Sequence, residues 1–230
     1  MLNHLLRGGD VTSFLILFLL SLPIVLLSLS LHETAHGFAA WRLGDPTARS
    51  LGRLTLNPIK HLNPIGALCM VLTGFGWANP VPINSRYFKK PRRDIALTSL
   101  AGPLSNLLLA IVFLLLVRFV GFEWLIKRVY FDPATSAFVR NVIYYLYLFL
   151  QMGVSMNISL ALFNLFPIPP LDGSRILFSL LPPKAYFKIM PYERQITLVL
   201  MLVLLVTTYF GWFSALVDLI LSGLYALVGM

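Results

Sequence analysis

Long apolar stretches dominate this chain, and short polar segments separate them. Several of the stretches approach or exceed the roughly 18 residues that indicate a membrane-spanning helix. We therefore predict an all-α polytopic membrane protein, a bundle of about four to six transmembrane helices in a single membrane-embedded domain over residues 1–230. The predicted spans are residues 12–42, 95–120, 138–166, 192–210 and 212–229, the last as a separate helix or as a bent continuation of the fourth.

Residues 49–93 interrupt this pattern between the first two long spans. They repeat Asn-Pro in "LNPIKHLNPIG" and then reach "TGFGWANPVPIN", where glycine and proline oppose a stable helix. This composition favours a re-entrant or β-hairpin-like segment at the membrane. Within the first span, Pro23 predicts a bend because proline removes a backbone donor.

Composition agrees with a membrane protein, since 58% of the residues are hydrophobic, 12% are charged and the mean hydropathy is +0.81. Soluble domains have about 45–50% apolar and about 25% charged residues. The net charge of +9 could suit a nucleic-acid-binding protein, but no aromatic and basic platform accompanies it. We expect the lipid bilayer, and no nucleic acid, as a partner. The single cysteine, Cys69, excludes an internal disulfide framework.

The distribution of positive charge orients the chain. Nine of the eighteen basic residues lie between Arg42 and Arg93, as is typical of cytoplasmic loops. If that region is cytoplasmic, the N-terminus and the 121–137 loop lie outside, and the 170–192 segment returns to the cytoplasmic side. The end of the first span and the segment around residue 170 are then expected at the same membrane face.

Polar residues interrupt the first span in "SLSLHETAHGFAAW", residues 28–41. His32, Glu33 and His36 form the pattern H-E-x-x-H, and both imidazoles share one face of a helix, where they can bind one zinc ion. Glu33 is offset by one residue and can act as general base. The alternative is that the histidines are only hydrogen-bonded within the bundle, but ionisable residues inside a membrane are functional by default.

A catalytic zinc also needs a third protein ligand. Asp172 and Asp218 are the acids with apolar surroundings, and Asp172 is favoured because it follows the prolines of "NLFPIPPLDG", residues 164–173. Non-helical backbone at membrane depth is tolerated where it is buried or lines a wet cavity. His61 is expected to hydrogen-bond within its turn-rich segment rather than to bind metal, and His4 is expected to be solvated.

Three motifs together, HETAH, "AGPLSN" (101–106) and "NLFPIPPLDG", resemble the site-2 proteases, a family of intramembrane zinc metalloproteases. Residues 52–66 and 74–84 also resemble the compact bacterial branch of this family. We expect no PDZ or CBS domain, because the spans and their loops leave no room for one. The resemblance implies that His32, His36 and Asp172 bind one catalytic Zn²⁺ and that Glu33 is the catalytic base. It also implies a bacterial cell membrane as the location and a transmembrane protein or peptide as the substrate.

The same resemblance implies substrate-binding residues. Asn164 and Asn106 would hold the substrate backbone, because a buried amide can donate to a carbonyl or to an oxyanion. Interhelical hydrogen bonds are the alternative role for both. Gly74, Phe75 and Gly76 resemble a membrane-inserted loop whose edge could pair with an unwound substrate, although a plain turn is the alternative.

Two other functions were open to a chain of this kind. Membrane hydroxylases and desaturases require more histidines than the four present. A non-proteolytic zinc-binding protein or transporter on the same core would keep the three metal ligands but would not need Glu33. The presence of Glu33 and of the Asn164 motif favours regulated intramembrane proteolysis, the hydrolysis of peptide bonds within or near transmembrane segments.

Overall fold

The computed structural model of the chain describes residues 10–63, 65, 78–119, 125, 127–129, 131–182, 190–192, 195–199, 203 and 212–229. In this part of the chain the secondary structure is helical, apart from an isolated antiparallel bridge between Leu62 and Ala78. The helices are α1 (Val11–Arg42), α2 (Thr47–Ser50), α3 (Pro58–His61), α4 (Pro91–Phe119), α5 (Ala137–Leu165), α6 (Asp172–Leu180) and α7 (Trp212–Val228), with 3₁₀ turns at Ser85–Tyr87 and Met190–Tyr192.

Three of these helices are long and apolar enough to cross a membrane. They are α1 with 32 residues, α4 over Pro91–Arg118 with 28 residues, and α5 with 29 residues. At 1.5 Å per residue, the shortest is about 42 Å long and exceeds the roughly 30 Å of hydrocarbon in a bilayer. The all-α polytopic membrane fold that the hydrophobic pattern predicts is therefore confirmed.

The first and third predicted spans agree with α1 and α5 to within one residue at each end, and α1 continues through Pro23. The second span begins at Pro91, four residues before the predicted start at residue 95. The reason is local: the buried carboxylate of Asp94 accepts hydrogen bonds from the Lys90 N–H and the Arg93 side chain, so this charged turn is helical.

The last two predicted spans are described in part. Residues 212–229 contain α7, which has 17 residues. Most of residues 192–210 lie outside the described residues, although 195–199 are helical. The number of membrane spans and the single domain over residues 1–230 stay predictions.

Helix α4 is the central element, since α1, α5 and α6 all pack against it. Gly153 in α5 allows a close approach to α4, because a Cβ there would lie 2.6 Å from the Phe113 ring. Helix α7 adds Val217 to this core and packs against α5. The buried core residues are Ala110, Phe113, Leu114, Val117, Leu150, Val154, Ile158 and Val217.

The segment between α3 and α4 is closed at its base. Besides the Leu62–Ala78 bridge, the Asn79 N–H donates to the His61 carbonyl at 2.7 Å, and the Asn79 amide donates to the Leu62 carbonyl at 2.9 Å. The residues between, 64 and 66–77, lie outside the described residues and include Gly74–Gly76. The predicted hairpin-like segment therefore stays a prediction.

Candidate metal centre

His32 and His36 lie on one face of α1, as the H-E-x-x-H spacing predicts. Both histidines are buried, and their Nε2 atoms are 3.0 Å apart. His32 is ten residues before the end of α1 at Arg42, which is about 15 Å along the helix axis. The two imidazoles therefore lie within the helix bundle, well inside the end of a membrane-spanning helix.

Helix α4 contacts each imidazole at its Nδ1 atom, whereas the two Nε2 atoms face each other. His36 Nδ1 lies 2.7 Å from the Thr98 carbonyl, and His32 Nδ1 lies 3.0 Å from Oδ1 of Asn106. Because both partners are acceptors, each Nδ1 carries the proton and donates it. Each neutral imidazole is therefore left with an unprotonated Nε2, the form that binds a metal.

Asp172 reaches this pair from the first turn of α6. The prolines after α5 end that helix, and Gly173 lets α6 begin directly against it, because a Cβ there would lie 2.1 Å from the Leu165 carbonyl oxygen. Oδ2 of Asp172 is 3.1 Å from Nε2 of His32 and 3.2 Å from Nε2 of His36. The predicted meeting of HETAH with the segment around residue 170 is therefore observed.

When both histidines are neutral with the proton on Nδ1, these three donor atoms have no proton to share. Two imidazole lone pairs and a carboxylate within 3.2 Å repel one another unless a cation lies between them. Zinc bound tetrahedrally at about 2.0–2.1 Å would separate such donors by about 3.3 Å. The chemistry and spacing of His32, His36 and Asp172 therefore fit a zinc ion, and they form the group of potential metal ligands among the described residues.

Gly102 of α4 provides the space for the two imidazoles. A Cβ at this position would lie 2.4 Å from Nε2 of His36 and 2.7 Å from Cε1 of His32, closer than real contacts allow. Gly102 belongs to the "AGPLSN" motif, but its role was not predictable from the family resemblance. The signal was a Gly-Pro pair inside an apolar span, which indicates a close approach to another helix.

Glu33 lies on a different face of α1 and contacts a different element. Its Oε2 accepts a hydrogen bond from the Val81 N–H at 2.8 Å, within the proline-rich segment before α4. Arg53 donates to the Asn79 carbonyl of that segment at 2.7 Å, and buried Asp45 accepts the Asn84 N–H at 2.7 Å. Sequence reasoning missed these contacts, because a segment without periodicity does not indicate which helix it covers.

The two asparagines predicted to bind substrate differ in their surroundings. Asn106 is fully buried beside the potential metal ligands, and its Nδ2 has no hydrogen-bond acceptor among the described residues. An amide donor is therefore still available there. The Asn164 amide donates to the Leu160 carbonyl of its own helix at 3.0 Å, and the side chain is half-buried. Substrate binding by either residue stays a prediction.

The remaining candidates are separate from this group. His61 is buried and donates from Nε2 to the Thr55 carbonyl at 2.8 Å, which is the hydrogen bond within the turn-rich segment that we predict. Asp218 is exposed on α7 and is not part of the cluster. His4, Gly74, Phe75 and Gly76 lie outside the described residues.

Similarity to known proteins agrees with this geometry. The family model of Peptidase family M50 matches residues 20–208. The Bacillus subtilis protein named "Putative zinc metalloprotease YwhC" is 44% identical over 184 residues, which cover 80% of this chain and 78% of that protein. A protein named "Putative zinc metalloprotease Rip2" from Mycolicibacterium smegmatis is 30% identical over 89% of this chain and 74% of that protein. A protein of the same name from Mycobacterium tuberculosis is 34% identical over 84% of this chain and 69% of that protein. No solved structure matches the chain.

The chain belongs to Peptidase family M50, the site-2 protease family. It is a metalloendopeptidase with apolar, membrane-spanning helices, and its cofactor is zinc. The predicted enzyme class, family resemblance and cofactor are therefore confirmed.

Proposed function

We propose that this protein cleaves peptide bonds within or near transmembrane segments of membrane-protein substrates, the step known as regulated intramembrane proteolysis. The observation that carries the proposal is the position of the three potential metal ligands. His32 and His36 lie about 10–15 Å inside a membrane-spanning helix, and Asp172 joins them from α6. Because α1 is long and apolar enough to cross a membrane, we expect a substrate that reaches these residues to be embedded in the membrane as well.

In this proposal His32, His36 and Asp172 hold the zinc, and Glu33 is the general base. When bound, the zinc supplies a Lewis acid that polarises the scissile carbonyl and activates water near neutral pH. The Glu33 carboxylate accepts a proton from the attacking water and passes it to the leaving amine. Thr98 and Asn106 keep each imidazole in the tautomer that leaves Nε2 free for the metal.

The remaining predicted residues would hold the substrate. The free Nδ2 donor of Asn106 and the amide of Asn164 would bind the unwound backbone, and Gly74–Gly76 would pair with it as an added strand. The closed base of that segment, at Leu62 and Ala78, supports a hairpin-like loop. We propose one membrane-embedded unit in the bacterial cell membrane, with the metal toward the cytoplasmic side and the N-terminus outside, because basic residues cluster at that end of the bundle.

The decisive test of the base is Glu33→Gln. The amide cannot take a proton from water, so we expect cleavage of a purified reporter with a single transmembrane segment between two soluble tags to be lost. Zinc content should stay near one ion per chain, because Glu33 is not among the three donors. Asp132→Asn, which makes the same chemical change in an exposed loop, is the matched control and should cleave normally. Cleavage by Glu33→Gln at the wild-type rate would contradict the assignment and would favour a non-proteolytic zinc-binding protein.

Asp172→Asn tests the third ligand in the same purified protein. An amide oxygen is a weaker zinc ligand than a carboxylate, so we expect zinc content and cleavage to fall together. Asp218→Asn is the control, because Asp218 is exposed on α7. If Asp218→Asn loses zinc while Asp172→Asn keeps it, the third ligand is Asp218.

A further inference from the structure

A cavity of about 490 Å³ is lined by Thr98, whose carbonyl contacts His36 of the candidate metal centre. It lies between the first turns of α4, helix α6 and the segment that leads into α4. Its volume is within the range of pockets that bind small organic groups. Apolar side chains form much of the wall, while Arg92, Arg175 and several hydroxyl groups add polar positions.

Two residues connect this cavity to the metal ligands. Thr98 lines the cavity, and its carbonyl accepts the hydrogen bond from His36 Nδ1. Arg175 follows Asp172 by three residues on α6, so their Cβ atoms are about 5–6 Å apart on one helix face. An extended peptide advances about 3.3 Å per residue. A side chain in the cavity would therefore belong to a residue about one to three positions from a peptide bond held at the metal.

The cavity is lined by two exposed arginines, Arg92 and Arg175. Neither Arg92 nor Arg175 has a carboxylate partner or hydrogen-bond acceptor among the described residues. The two acids nearest in sequence are already engaged, Asp94 by Arg93 and Asp172 as a potential metal ligand. Two guanidinium groups without a partner among the described residues, in a cavity that also has apolar walls, fit an anionic group on a short apolar stem, because guanidinium binds carboxylate through two parallel hydrogen bonds.

We infer that this cavity is a substrate subsite for an acidic side chain, Asp or Glu, within about three residues of the scissile bond. This inference rests on the proposed function and adds a substrate class to it. Membrane proteins carry mainly positive charge at their cytoplasmic ends. A cationic subsite beside the metal would therefore disfavour most transmembrane segments and select those with an acidic residue at this position.

The experiment measures kcat/KM for a series of reporters in detergent and in vesicles of zwitterionic lipid. Each reporter carries Glu, Gln or Lys at one of the three positions on either side of the cleavage site, after that site has been mapped by mass spectrometry. For the wild-type enzyme we expect Glu to be preferred over Gln by about tenfold at one position, and Lys to be disfavoured there. For Arg92→Gln/Arg175→Gln the Glu preference should vanish, and Arg175→Glu should shift the preference toward Lys. Arg49→Gln, an exposed arginine outside the cavity, should keep the wild-type preference.

The outcomes separate this inference from the proposed function. If the wild-type enzyme cleaves none of the reporters, the proposed function fails. If it cleaves them without charge preference at any position, or if the arginine variants keep the preference, the subsite is wrong. In a third outcome, cleavage depends on phosphatidylglycerol in the vesicles, the arginine variants lose this lipid dependence, and no reporter is preferred. This result would identify a lipid headgroup as the occupant of the cavity and would also overturn the inference.

Discussion

The two faces of helix α1 that carry the proposed site residues are held in different ways. The face of His32 and His36 packs on another membrane-spanning helix, α4, which contributes Thr98, Gly102 and Asn106. The face of Glu33 is covered by an irregular proline-rich segment, which contacts it through the Val81 N–H. The proposed metal ligands and the proposed general base are adjacent in sequence, but their supports come from separate elements.

From this difference we expect the two faces of this helical turn to have separate roles, one in binding the metal and one in moving protons. A metal site needs ligands fixed to within fractions of an ångström, and buried helix-to-helix contacts fix them. A general base must reach a substrate and move a proton, and a segment held by a few hydrogen bonds gives it a softer support. Damage to the α4 side should therefore remove zinc, whereas damage to the other side should lower the rate and leave zinc bound.

The largest effect is expected from Gly102→Ala. The added methyl would overlap Nε2 of His36, so we expect zinc content to fall below detection and cleavage to be lost. Alanine has a higher helix propensity than glycine, so helix stability alone would not explain such a loss. Metal analysis of the purified protein, with circular dichroism for helix content, measures the outcome. Gly223→Ala is the matched control, because a Cβ at Gly223 meets nothing within 4 Å. Near-stoichiometric zinc in Gly102→Ala would show that α4 does not shape the site.

An intermediate effect is expected at Asn106, where two variants separate two roles. Asn106→Leu removes the acceptor from His32 Nδ1, and we expect zinc affinity to fall about 10–100-fold in a chelator competition assay. Asn106→Asp keeps that acceptor but removes the amide donors, so zinc affinity should be retained. Cleavage by Asn106→Asp then reports on the substrate-binding role: a lower kcat with normal zinc supports it, and unchanged kinetics contradict it. Unchanged zinc affinity in Asn106→Leu would contradict the positioning role.

The smallest effect is expected from Arg53→Met, which acts on the Glu33 face. Loss of the guanidinium frees the Asn79 carbonyl and loosens the segment whose Val81 N–H contacts Glu33. We expect kcat to fall about tenfold with zinc content unchanged, since small displacements of a catalytic group cost up to about 100-fold. Arg86→Gln, which removes one exposed positive charge from the same segment, serves as the control. A parallel loss of zinc in Arg53→Met would show that the two faces are not supported independently.

Much of this arrangement follows from short-range rules. The spacing of His32 and His36 determines that they share a helix face, and unbroken apolar runs determine the long helices within a few residues. The position of Asp172 was also predictable. The distribution of positive charge places Asp172 at the same membrane face as HETAH, and the prolines before it end the helix.

The supports of the site were harder to predict because they depend on packing between elements that are far apart in sequence. Nothing in the apolar run around Gly102 indicates that two imidazoles lie against it. The imidazoles require only that this position has no Cβ atom. Similarly, the prolines around Val81 indicate an extended segment, but only the tertiary structure shows that its N–H meets Glu33. Asn106 was predicted from the family resemblance as a substrate ligand, whereas the observed contact is with His32.

The separation of the donors along the chain has a consequence for biosynthesis. His32 and Asp172 are 140 residues apart. At about 5–20 residues per second, a ribosome needs roughly 7–28 s to proceed from one to the other. During this interval the newly inserted α1 would carry two histidines without their carboxylate partner, and such an incomplete site would hold zinc weakly. The peptidase would thus stay inert beside other nascent membrane proteins at the insertion machinery and become active only after its own α6 has emerged.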